Sequence, residues 1–443
     1  MLTNKGDLIM ANNQVIKVGL MGLGTVGTGV LRILQENKEF IERKLGVGIE
    51  VKKILVRNLS KARKLDVNPE LLTDNYLDIV NDPEIQICIE LIGGINPTKQ
   101  YVMEAIQAGK NIITANKDLI ATEGKKIFEK SAEKQVDVRF EASVGGGIPI
   151  IRPLKVCLAA NKIHEIMGII NGTTNYILTK MTTEGSNFSD VLKEAQDLGY
   201  AEADPTADVD GYDAARKLAI LASIAFNSRV ALKDVYTEGI AKITASDIGY
   251  ATELGYVIKL LGIAKETNGQ IEARVHPVFI PKAHPLASVH NAFNAIYIKG
   301  DAVGEAMFYG PGAGEMPTAS AIMGDVVQVA RNVVGGTTGF GICTCYEDKK
   351  VKPMGEIEAE YYIRLAVKDQ PGVLASIAGV FGNQGVSIGS VIQKRHGGEM
   401  AEIVLITHQV KEQFIQDALK IVQGLSTVEI VSNVIRVEGG GQA

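Results

Sequence analysis

One glycine-rich loop constrains this chain more than any other feature, because it lies between a strand pattern and a helix pattern. An apolar strand predicted at residues 15–20 runs into Gly22-Leu-Gly24-Thr-Val-Gly27, and apolar residues at helical spacing follow. Gly22 permits the tight turn, Gly24 lets a diphosphate approach the backbone, and Gly27 lets the helix pack closely on the strand. The motif predicts a dinucleotide cradle at a helix N-terminus. A tight turn without a ligand is the alternative.

The end of the second predicted strand, residues 49–56, bears on the choice of cofactor. An NAD-specific cradle would carry Asp or Glu there, to bond the ribose hydroxyls. Arg57 follows the strand instead, with Lys61 and Arg63 close behind. Positive charge accommodates a 2′-phosphate, so the sequence favours NADP(H), with NAD(H) still open. A surface basic cluster without a ligand is the alternative.

Strand and helix patterns continue to alternate, which predicts a doubly wound parallel sheet. An apolar run at 85–92 ends at Gly93-Gly94, and a strand at 111–115 delivers Lys117 just beyond its carboxyl end. Ligands of open α/β sheets bind outside those strand ends. We therefore expect Lys117 to lie where a reactive group is needed.

A second glycine run follows the strand predicted at 138–140. It reads Glu141-Ala-Ser-Val-Gly-Gly-Gly147, so backbone carbonyls come close to whatever lies beside them. Together with Glu141 they suit an oxygen cage for a monovalent cation. A flexible crossover between two domains is the alternative. We expect strand, turn and strand over 156–174, with Gly172-Thr-Thr-Asn175 opening a helix.

The stretch from Gly199 to Lys217 holds five carboxylates between Glu202 and Asp213 and then begins an apolar helix. Asp213 and Lys217 are four residues apart, so they share a helix face that continues as the apolar core stripe. A charged pair on such a stripe is costly unless it is paired or used. Two alternatives stay open: a solvated helix pair, or a helix entry with Asp210 as the N-cap residue.

Composition narrows the class of protein. The chain has 443 residues, 46% of them hydrophobic and 22% charged, which is ordinary for a globular protein of two or three domains. The net charge is −5 and no basic block is interleaved with aromatics, so nucleic-acid binding is disfavoured. Apolar runs such as 218–226 are too short to span a membrane, and residues 1–14 lack a signal pattern. We expect a cytoplasmic protein.

The cysteines carry less information. Cys343-Thr-Cys345 lies in a glycine-rich linker, and no other cysteine or histidine stands nearby at ligand spacing. The pattern therefore gives little support to a metal or redox role there.

After the linker, strand and helix patterns follow in the order βαββαβ, a ferredoxin-like unit of the kind used for regulatory binding. An apolar helix at 318–329, capped by Thr318, is expected to return to the first domain.

These motifs together resemble homoserine dehydrogenase with a C-terminal ACT domain, from about residue 15 to 437. The residues that carry the resemblance are Gly22-Leu-Gly-Thr-Val-Gly27, Thr114-Ala-Asn-Lys117, Glu141-Ala-Ser-Val-Gly-Gly-Gly147, Asn171-Gly-Thr-Thr-Asn-Tyr176, the Gly199 to Lys217 stretch, Gly310-Pro-Gly-Ala-Gly-Glu315 and Asp369-Gln-Pro-Gly372. The resemblance implies NAD(P)-dependent interconversion of L-homoserine and L-aspartate 4-semialdehyde, on the route to threonine and methionine.

The resemblance also implies roles for individual residues. Lys217 would donate the proton to the aldehyde oxygen, and Lys117 would assist near the nicotinamide. Glu202 and Asp213 would hold the amino and hydroxyl groups of the substrate, with Asp208 organising that network. The implied cofactor contacts are Gly22, Gly24, Thr25, Val26, Gly27, Arg57, Gly93, Lys117 and Glu315. A sodium or potassium ion would be held by Glu141 and by backbone oxygens of Val144, Gly146 and Ile148.

The expected organisation is α/β with three domains. Residues 1–150 form a Rossmann-type cofactor domain to which 318–335 return, and 151–317 form an α+β substrate and dimerisation domain. Residues 336–355 are a linker, and 356–443 are an ACT domain that binds an amino acid such as threonine. A dimer or tetramer is expected. The alternatives are another semialdehyde oxidoreductase on this scaffold, a catalytically silent NADP-binding sensor, and a C-terminal domain that only assembles the oligomer.

Overall fold

The structure is a computed structural model that describes residues 14–63, 65–339, 343–395 and 399–439. The chain divides into two compact units. The first unit comprises Met1–Lys162, Ala219–Leu232 and Phe308–Asp348, and the second comprises Ile163–Leu218, Lys233–Met307 and Lys349–Ala443. Each of the units is therefore assembled from separate stretches of sequence.

The strands are β1 Val15–Met21, β2 Gly48–Leu55, β3 Leu72–Thr73, β4 Ile85–Glu90, β5 Asn111–Thr114, β6 Val138–Arg139, β7 Ile163–Ile169, β8 Tyr236–Thr237, β9 Tyr256–Thr267, β10 Gln270–Pro281, β11 Phe293–Gly300, β12 Gly304–Pro311, β13 Lys350–Val351, β14 Glu358–Lys368, β15 Ile388–Arg395, β16 Met400–Thr407, β17 Val410–Lys411 and β18 Val428–Val437.

The α-helices are α1 Thr25–Glu36, α2 Lys38–Leu45, α3 Leu77–Val80, α4 Thr98–Gln107, α5 Lys117–Lys134, α6 Gly172–Glu184, α7 Phe188–Asp197, α8 Thr206–Val209, α9 Tyr212–Ala225, α10 Ala245–Glu253, α11 Glu315–Gly335, α12 Val373–Asn383 and α13 Glu412–Gln423.

The first unit is built on a parallel sheet with the strand order β3-β2-β1-β4-β5-β6. The order reverses next to β1, and open α/β sheets bind their ligands at such a switch point. Strands β1 and β4 are fully buried over most of their length, and apolar side chains such as Ile16, Val18 and Ile89 fill the core. The predicted Rossmann-type sheet is confirmed.

Helix α11 packs in this unit against α1 and shares its core through Ala319 and Ile322. The helix begins at Glu315 after the N-cap residue Gly314, three residues earlier than predicted. Thr318 is therefore buried inside the first turn, and its assignment as the cap was wrong. Gly314 has a φ of 124°, which suits glycine and allows the turn into the helix.

The second unit contains a mixed sheet with the order β12-β11-β7-β9-β10-β18-β14-β16-β15. Long antiparallel strands β9 and β10 form its centre, and β10 also pairs in parallel with β18 through Val278 opposite Arg436. The C-terminal elements follow the order β14-α12-β15-β16-β17-α13-β18, in which β17 is a strand of two residues. This confirms the predicted βαββαβ module, whose sheet continues that of β7 and β9–β12.

One local prediction was wrong, and one of the open alternatives is excluded. Residues 153–157 form a π-helical turn rather than the start of a strand, and the strand here is β7, followed directly by α6. Asp210 is the C-cap residue of α8 and does not cap α9. Pro153 is the first residue of the π-helical turn, a position that suits proline, whereas Pro205 is the N-cap residue of α8.

Candidate active site

The glycine loop between β1 and α1 shows which glycines the fold needs. A side chain at Gly22 would lie 2.7 Å from the carbonyl oxygen of Leu91, and one at Gly27 would collide with the carbonyl of Gly22. A side chain at Gly24 would meet no atom within 4 Å. Packing therefore explains Gly22 and Gly27, whereas the bare backbone at Gly24 leaves space for a ligand to approach the helix N-terminus.

A cleft of about 1690 Å³, including space open to solvent, lies beside this loop. Its lining includes Gly22, Gly24, Thr25, Arg57 and Glu315, which sequence analysis had assigned to the cofactor, and also Lys61 and Arg63. Val26 and Gly27 lie within the first turn of α1, and Gly93 lies in the turn after β4, outside the lining. The cleft has the size, the backbone donors and the positive charge that a dinucleotide needs.

Glu90, at the carboxyl end of β4, was missed by sequence reasoning. Its carboxylate is fully buried and accepts hydrogen bonds from the backbone N–H groups of Ile92 and Gly93, at 2.8 and 3.1 Å, and from the Thr114 hydroxyl at 2.6 Å. It therefore fixes the turn that carries Gly93. An acidic residue at the end of an apolar strand was the available signal.

Lys117 is the first residue of α5, just beyond β5, as expected for a residue at a strand end. Asn116 caps this helix: its side-chain oxygen accepts from the Leu119 N–H at 3.1 Å, and its amide donates to the Gly94 carbonyl at 2.7 Å. Lys117 is half-buried and belongs to the first unit. The two hydrogen bonds of Asn116, to Leu119 and to Gly94, therefore hold the backbone that carries Lys117.

The acid–lysine pair of α9 lies in the second unit and is largely buried. The Lys217 ammonium donates to Asp213 Oδ2 at 2.7 Å and to the Ile170 carbonyl at 2.8 Å. The two side chains are 12% and 10% exposed, which excludes the solvated helix pair as an explanation. The contacts with one carboxylate and one carbonyl fix the position of the buried ammonium.

Asn171 joins two carboxylates of this site and was not assigned a role from the sequence. Its side-chain amide donates to Asp208 Oδ1 at 2.7 Å and to Asp213 Oδ2 at 2.9 Å. Burial raises the pKa of Asp208, the hydrogen bond from Asn171 opposes this rise, and the charge of Asp213 adds to it. The result is a compact network of Asp208, Asn171, Asp213 and Lys217.

Asn171 is held by its own backbone position. It follows the end of β7 as the N-cap residue of α6, and its side-chain oxygen accepts from the Thr174 N–H at 2.9 Å. The cap fixes the amide plane, so the N–H₂ group must point toward the carboxylates.

Glu202 lies in the exposed loop between α7 and α8, where its backbone carbonyl accepts from the Gln196 side chain at 3.1 Å.

Glu141 lies in the first unit and is 6% exposed. Its carboxylate accepts from the backbone N–H groups of Ile150 and Ile151, at 2.5 and 2.8 Å, and of Arg152 at 2.7 Å. Burial raises the pKa of Glu141 although these donors lower it. The side chain therefore anchors the backbone that follows the glycine run.

The same loop contains the three backbone positions assigned to a cation. Val144 and Ile148 are fully buried, and Gly146 has a φ of 56° with no room for a side chain against Gly312. Within the part of the chain that the structure describes, no group of three or more His, Cys, Asp or Glu side chains could hold a metal ion. Any cation here would depend mainly on carbonyl oxygens.

Among the described helices none is long and apolar enough to cross a membrane.

Comparison with known proteins identifies the family. Residues 22–141 match the family described as homoserine dehydrogenase, NAD binding domain, residues 149–327 match homoserine dehydrogenase, and residues 361–426 match the ACT domain. A homoserine dehydrogenase of Bacillus subtilis is 46% identical over 431 residues, covering 97% of this chain and 99% of the relative. The chain belongs to the homoserine dehydrogenase family. It is an oxidoreductase with an NAD(P)-binding domain and a C-terminal ACT domain.

Other homoserine dehydrogenases agree with this assignment. The relative from Corynebacterium glutamicum is 43% identical, with 96% of each chain covered. A crystal structure of the Thiobacillus denitrificans enzyme matches with a TM-score of 0.91 and 46% identity, over 96% of this chain and 98% of that one. A hyperthermophilic archaeal homoserine dehydrogenase, solved in complex with NADPH, matches with a TM-score of 0.61 and 25% identity over 71% of this chain and 98% of its own.

Proposed function

We propose that this homoserine dehydrogenase interconverts L-homoserine and L-aspartate 4-semialdehyde with Lys217 as the group that carries the proton. The observation that supports this role is the buried contact of its ammonium with Asp213 and Ile170. These two contacts engage two of its three N–H donors, and the third is available to a substrate oxygen. The ion pair with Asp213 holds the ammonium in place, which suits a proton donor to a forming alkoxide.

The remaining substrate roles follow from charge. Homoserine carries a cationic amino group, which Glu202 is suited to receive, while Asp213 receives the hydroxyl group. Asp208 organises this network through Asn171, which donates to both aspartates. When bound, the nicotinamide cofactor supplies or accepts the hydride. Lys117 belongs to the first unit, and its place beyond β5 supports an auxiliary role beside the nicotinamide.

We propose NADP(H) as the preferred cofactor. The support is the positive charge of Arg57, Lys61 and Arg63 along one cleft, where an NAD-specific site would carry an acidic residue. The diphosphate would lie over Gly24 and Thr25. Glu315, at the start of α11, lines the same cleft and pairs with Arg32 at 3.2 Å, so its charge is partly balanced within the protein.

We also propose a sodium or potassium ion beside Glu141, with Val144, Gly146 and Ile148 as carbonyl donors. The fit is limited on the carboxylate side, since Glu141 already accepts three backbone hydrogen bonds. Carboxylate oxygens have further lone pairs, so one coordination bond remains possible. Buried Asp325 accepts from the Glu141 N–H at 2.9 Å, and burial raises the pKa of Asp325 to about 7, so a nearby cation would stabilise its ionised form.

The wider proposal covers organisation and regulation. The chain has three functional domains in this proposal. The first comprises residues 1–150 together with 318–335, the second comprises 151–317, and the third comprises 356–443 and follows the linker 336–355. Strand β15 lies at an edge of the second sheet, where a second copy could add its own strand, and this supports a dimer or tetramer. Threonine is the proposed effector. The proposed location of the protein is the cytoplasm, where thiols such as Cys157 remain reduced.

The experiment that tests the catalytic proposal is substitution of Lys217. We expect Lys217→Ala to lower kcat for homoserine oxidation by about 10²–10⁴-fold, because proton transfer by a positioned group is lost. NADP binding should persist, since the cleft belongs to the first unit. Lys180 forms an ion pair of the same spacing with Glu184 at 2.8 Å on the surface, so Lys180→Ala is the matched control. Near wild-type kcat in Lys217→Ala would overturn the assignment.

A further inference from the structure

The cysteines that the sequence left unexplained share a cleft with two cations in the first unit. The cleft has a volume of about 420 Å³, including space open to solvent, and its lining includes Cys343, Cys345, Arg229 and Lys155. Its other lining side chains, such as Phe140, are mostly apolar. Cys343 is exposed and Cys345 is partly buried. The cofactor cleft has a different lining, and the catalytic proposal uses none of these groups.

The contacts distinguish the two sulfur atoms. Cys343 Sγ accepts from Arg229 Nη2 at 3.6 Å and from the backbone N–H of Cys345 at 3.5 Å. Cys345 Sγ instead carries the S–H proton and has two acceptors for it, the Ser223 carbonyl at 3.7 Å and the Cys343 sulfur. An acceptor surrounded by donors is stabilised as a thiolate, whereas a sulfur that donates to a carbonyl is stabilised as a thiol.

The pKa values of the two cysteines shift in the directions that these contacts indicate. The hydrogen bond from the Cys345 thiol, followed by its backbone N–H and the charge of Arg229, lowers the pKa of Cys343 to about 5 against the effect of burial. The hydrogen bond to Cys343, together with burial, raises the pKa of Cys345. Burial lowers the pKa of Lys155 to about 8, so this second cation is charged at neutral pH. The pair is therefore polarised into one nucleophile and one proton-bearing partner.

We propose that Cys343 and Cys345 form a redox-active dithiol, in which Cys343 reacts with a hydroperoxide and Cys345 resolves the product as a disulfide. Two residues of chain span at most about 7 Å, and disulfides join Cα atoms about 4.4–6.8 Å apart. The bond therefore requires only local adjustment. The cleft beside the sulfur atoms has room for a small oxidant.

The chemistry balances. The Cys343 thiolate attacks one oxygen of hydrogen peroxide, an S–O bond forms, the O–O bond breaks, and hydroxide leaves and is protonated to water. Cys345 sulfur then attacks the sulfenic acid, an S–S bond forms and the S–O bond breaks. The departing hydroxide takes the proton of the Cys345 thiol. Two thiols are oxidised, one peroxide is reduced and two waters are released.

The test uses the full-length protein, reduced and then treated with hydrogen peroxide at about one equivalent, with intact-mass and peptide mass spectrometry as the readout. We expect loss of two hydrogen atoms, located in one peptide that contains both cysteines. Cys345→Ser should stop at a sulfenic acid that a dimedone probe captures, and Cys343→Ser should abolish the reaction. Cys157 is also exposed, so Cys157→Ser is the matched control and should behave as wild type.

The effect of the Arg229 charge on Cys343 is tested by measuring the rate of alkylation by iodoacetamide over a range of pH. In the wild type Cys343 should react at full rate below pH 7, ahead of Cys157, whereas an ordinary thiol with a pKa of about 8.5 is only a few per cent thiolate there. Arg229→Gln should shift the Cys343 profile upward, and Arg229→Lys should restore most of it. Thermal unfolding of each variant checks that it is folded. Equal rates at Cys343 and Cys157, or peroxide oxidation that persists in Cys343→Ser, would overturn the proposal.

Discussion

Asn171 shows how a single residue can control the charges of a site. Its amide donates to Asp208 and Asp213 while its oxygen caps α6. Asn171→Asp keeps the capping oxygen and replaces the donor by a third carboxylate. A lost hydrogen bond to a charged group costs about 1.5–3 kcal/mol, and the added repulsion increases this. We expect kcat/KM for homoserine to fall by more than tenfold.

Asn171→Ser is the comparison for this prediction, because a serine hydroxyl can also cap the helix but brings no charge. Its loss of kcat/KM should be smaller than that of Asn171→Asp. Equal kinetics in Asn171→Asp and the wild type, measured by NADPH formation, would show that the amide does not organise the carboxylates.

Arg57 decides the cofactor preference if the proposal of NADP(H) is right. Arg57→Ala should weaken NADPH binding by about tenfold or more, the equivalent of one charge-assisted contact of about 1.5–3 kcal/mol. NADH, which has no 2′-phosphate, should be affected little. Arg43 is exposed on α2 and pairs with Glu39, so Arg43→Ala is the control for a lost surface charge. Equal weakening of both cofactors, measured by fluorescence titration, would contradict the role.

At this scale the sequence could predict residues that sit at regular spacing. Asp213 and Lys217 share a helix face, and Gly22, Gly24 and Gly27 form a recognised turn, so local pattern placed them. Asn171 is 42 residues from Asp213, and their contact depends on how β7 delivers the start of α6 beside α9. Local spacing carries no information about such a contact, so the amide was missed.

Among the elements, β18 is fixed to β10 by charge as well as by its backbone. Arg274 of β10 is 1% exposed and pairs with Glu438, which also accepts from Lys265 at 2.8 Å. Burial alone would raise the pKa of Glu438, but the charges of Arg274 and Lys265 outweigh it and hold the pKa below its usual range. This contribution to stability is therefore complete above the ordinary glutamate pKa of about 4.3 and is lost as the pH falls through the lowered value.

Glu438→Gln should leave the buried Arg274 with Glu272, 3.9 Å away, as its remaining carboxylate partner. Loss of one partner of a buried pair costs about 3–5 kcal/mol, so the melting temperature at pH 7 should fall clearly. The difference from wild type should shrink in acid, because the wild type then loses the same stabilisation. Glu429→Gln, at an exposed position of the same strand, is the control. An unchanged melting temperature at pH 7 would show that the pair does not hold β18.

Element prediction succeeded where periodicity was distinct and failed where it was not. The alternating C-terminal strands and the amphipathic α13 were recognised. Strand β9 was missed, since residues 258–264 are buried without interruption and a continuous apolar run does not distinguish strand from helix. The start of α11 was misplaced, because its N-cap is a glycine that forms no side-chain capping bond.

For the whole molecule, the continuous sheet of the second unit changes how the ACT domain must be tested. Deleting residues 356–443 would remove β18 and Glu438 together, so Val278 and Phe279 of β10 would lose their pairing with β18 and the buried Arg274 would lose its nearest carboxylate. Arg364 of β14 also donates to Asp247 of α10 at 2.8 Å, and Tyr250 of α10 donates to Glu402 of β16 at 2.6 Å. A truncated protein would lose stability for these reasons alone, so point variants are the better test.

We propose an effector site at residues 369–374, the exposed start of α12, together with residues 386–390, where β15 begins. Gly372, with a φ of 88°, turns the chain into α12, whose free N–H groups can receive the carboxylate of threonine, and Asp369 can receive its amino group. Asp369→Asn should weaken threonine binding by about tenfold or more, as expected for one charge-assisted contact of about 1.5–3 kcal/mol. Isothermal calorimetry and inhibition of homoserine oxidation measure the change. Asp417→Asn, on the surface of α13, should leave both readouts as in wild type. If the full-length enzyme binds none of threonine, methionine, isoleucine and lysine, the C-terminal domain serves assembly and not regulation.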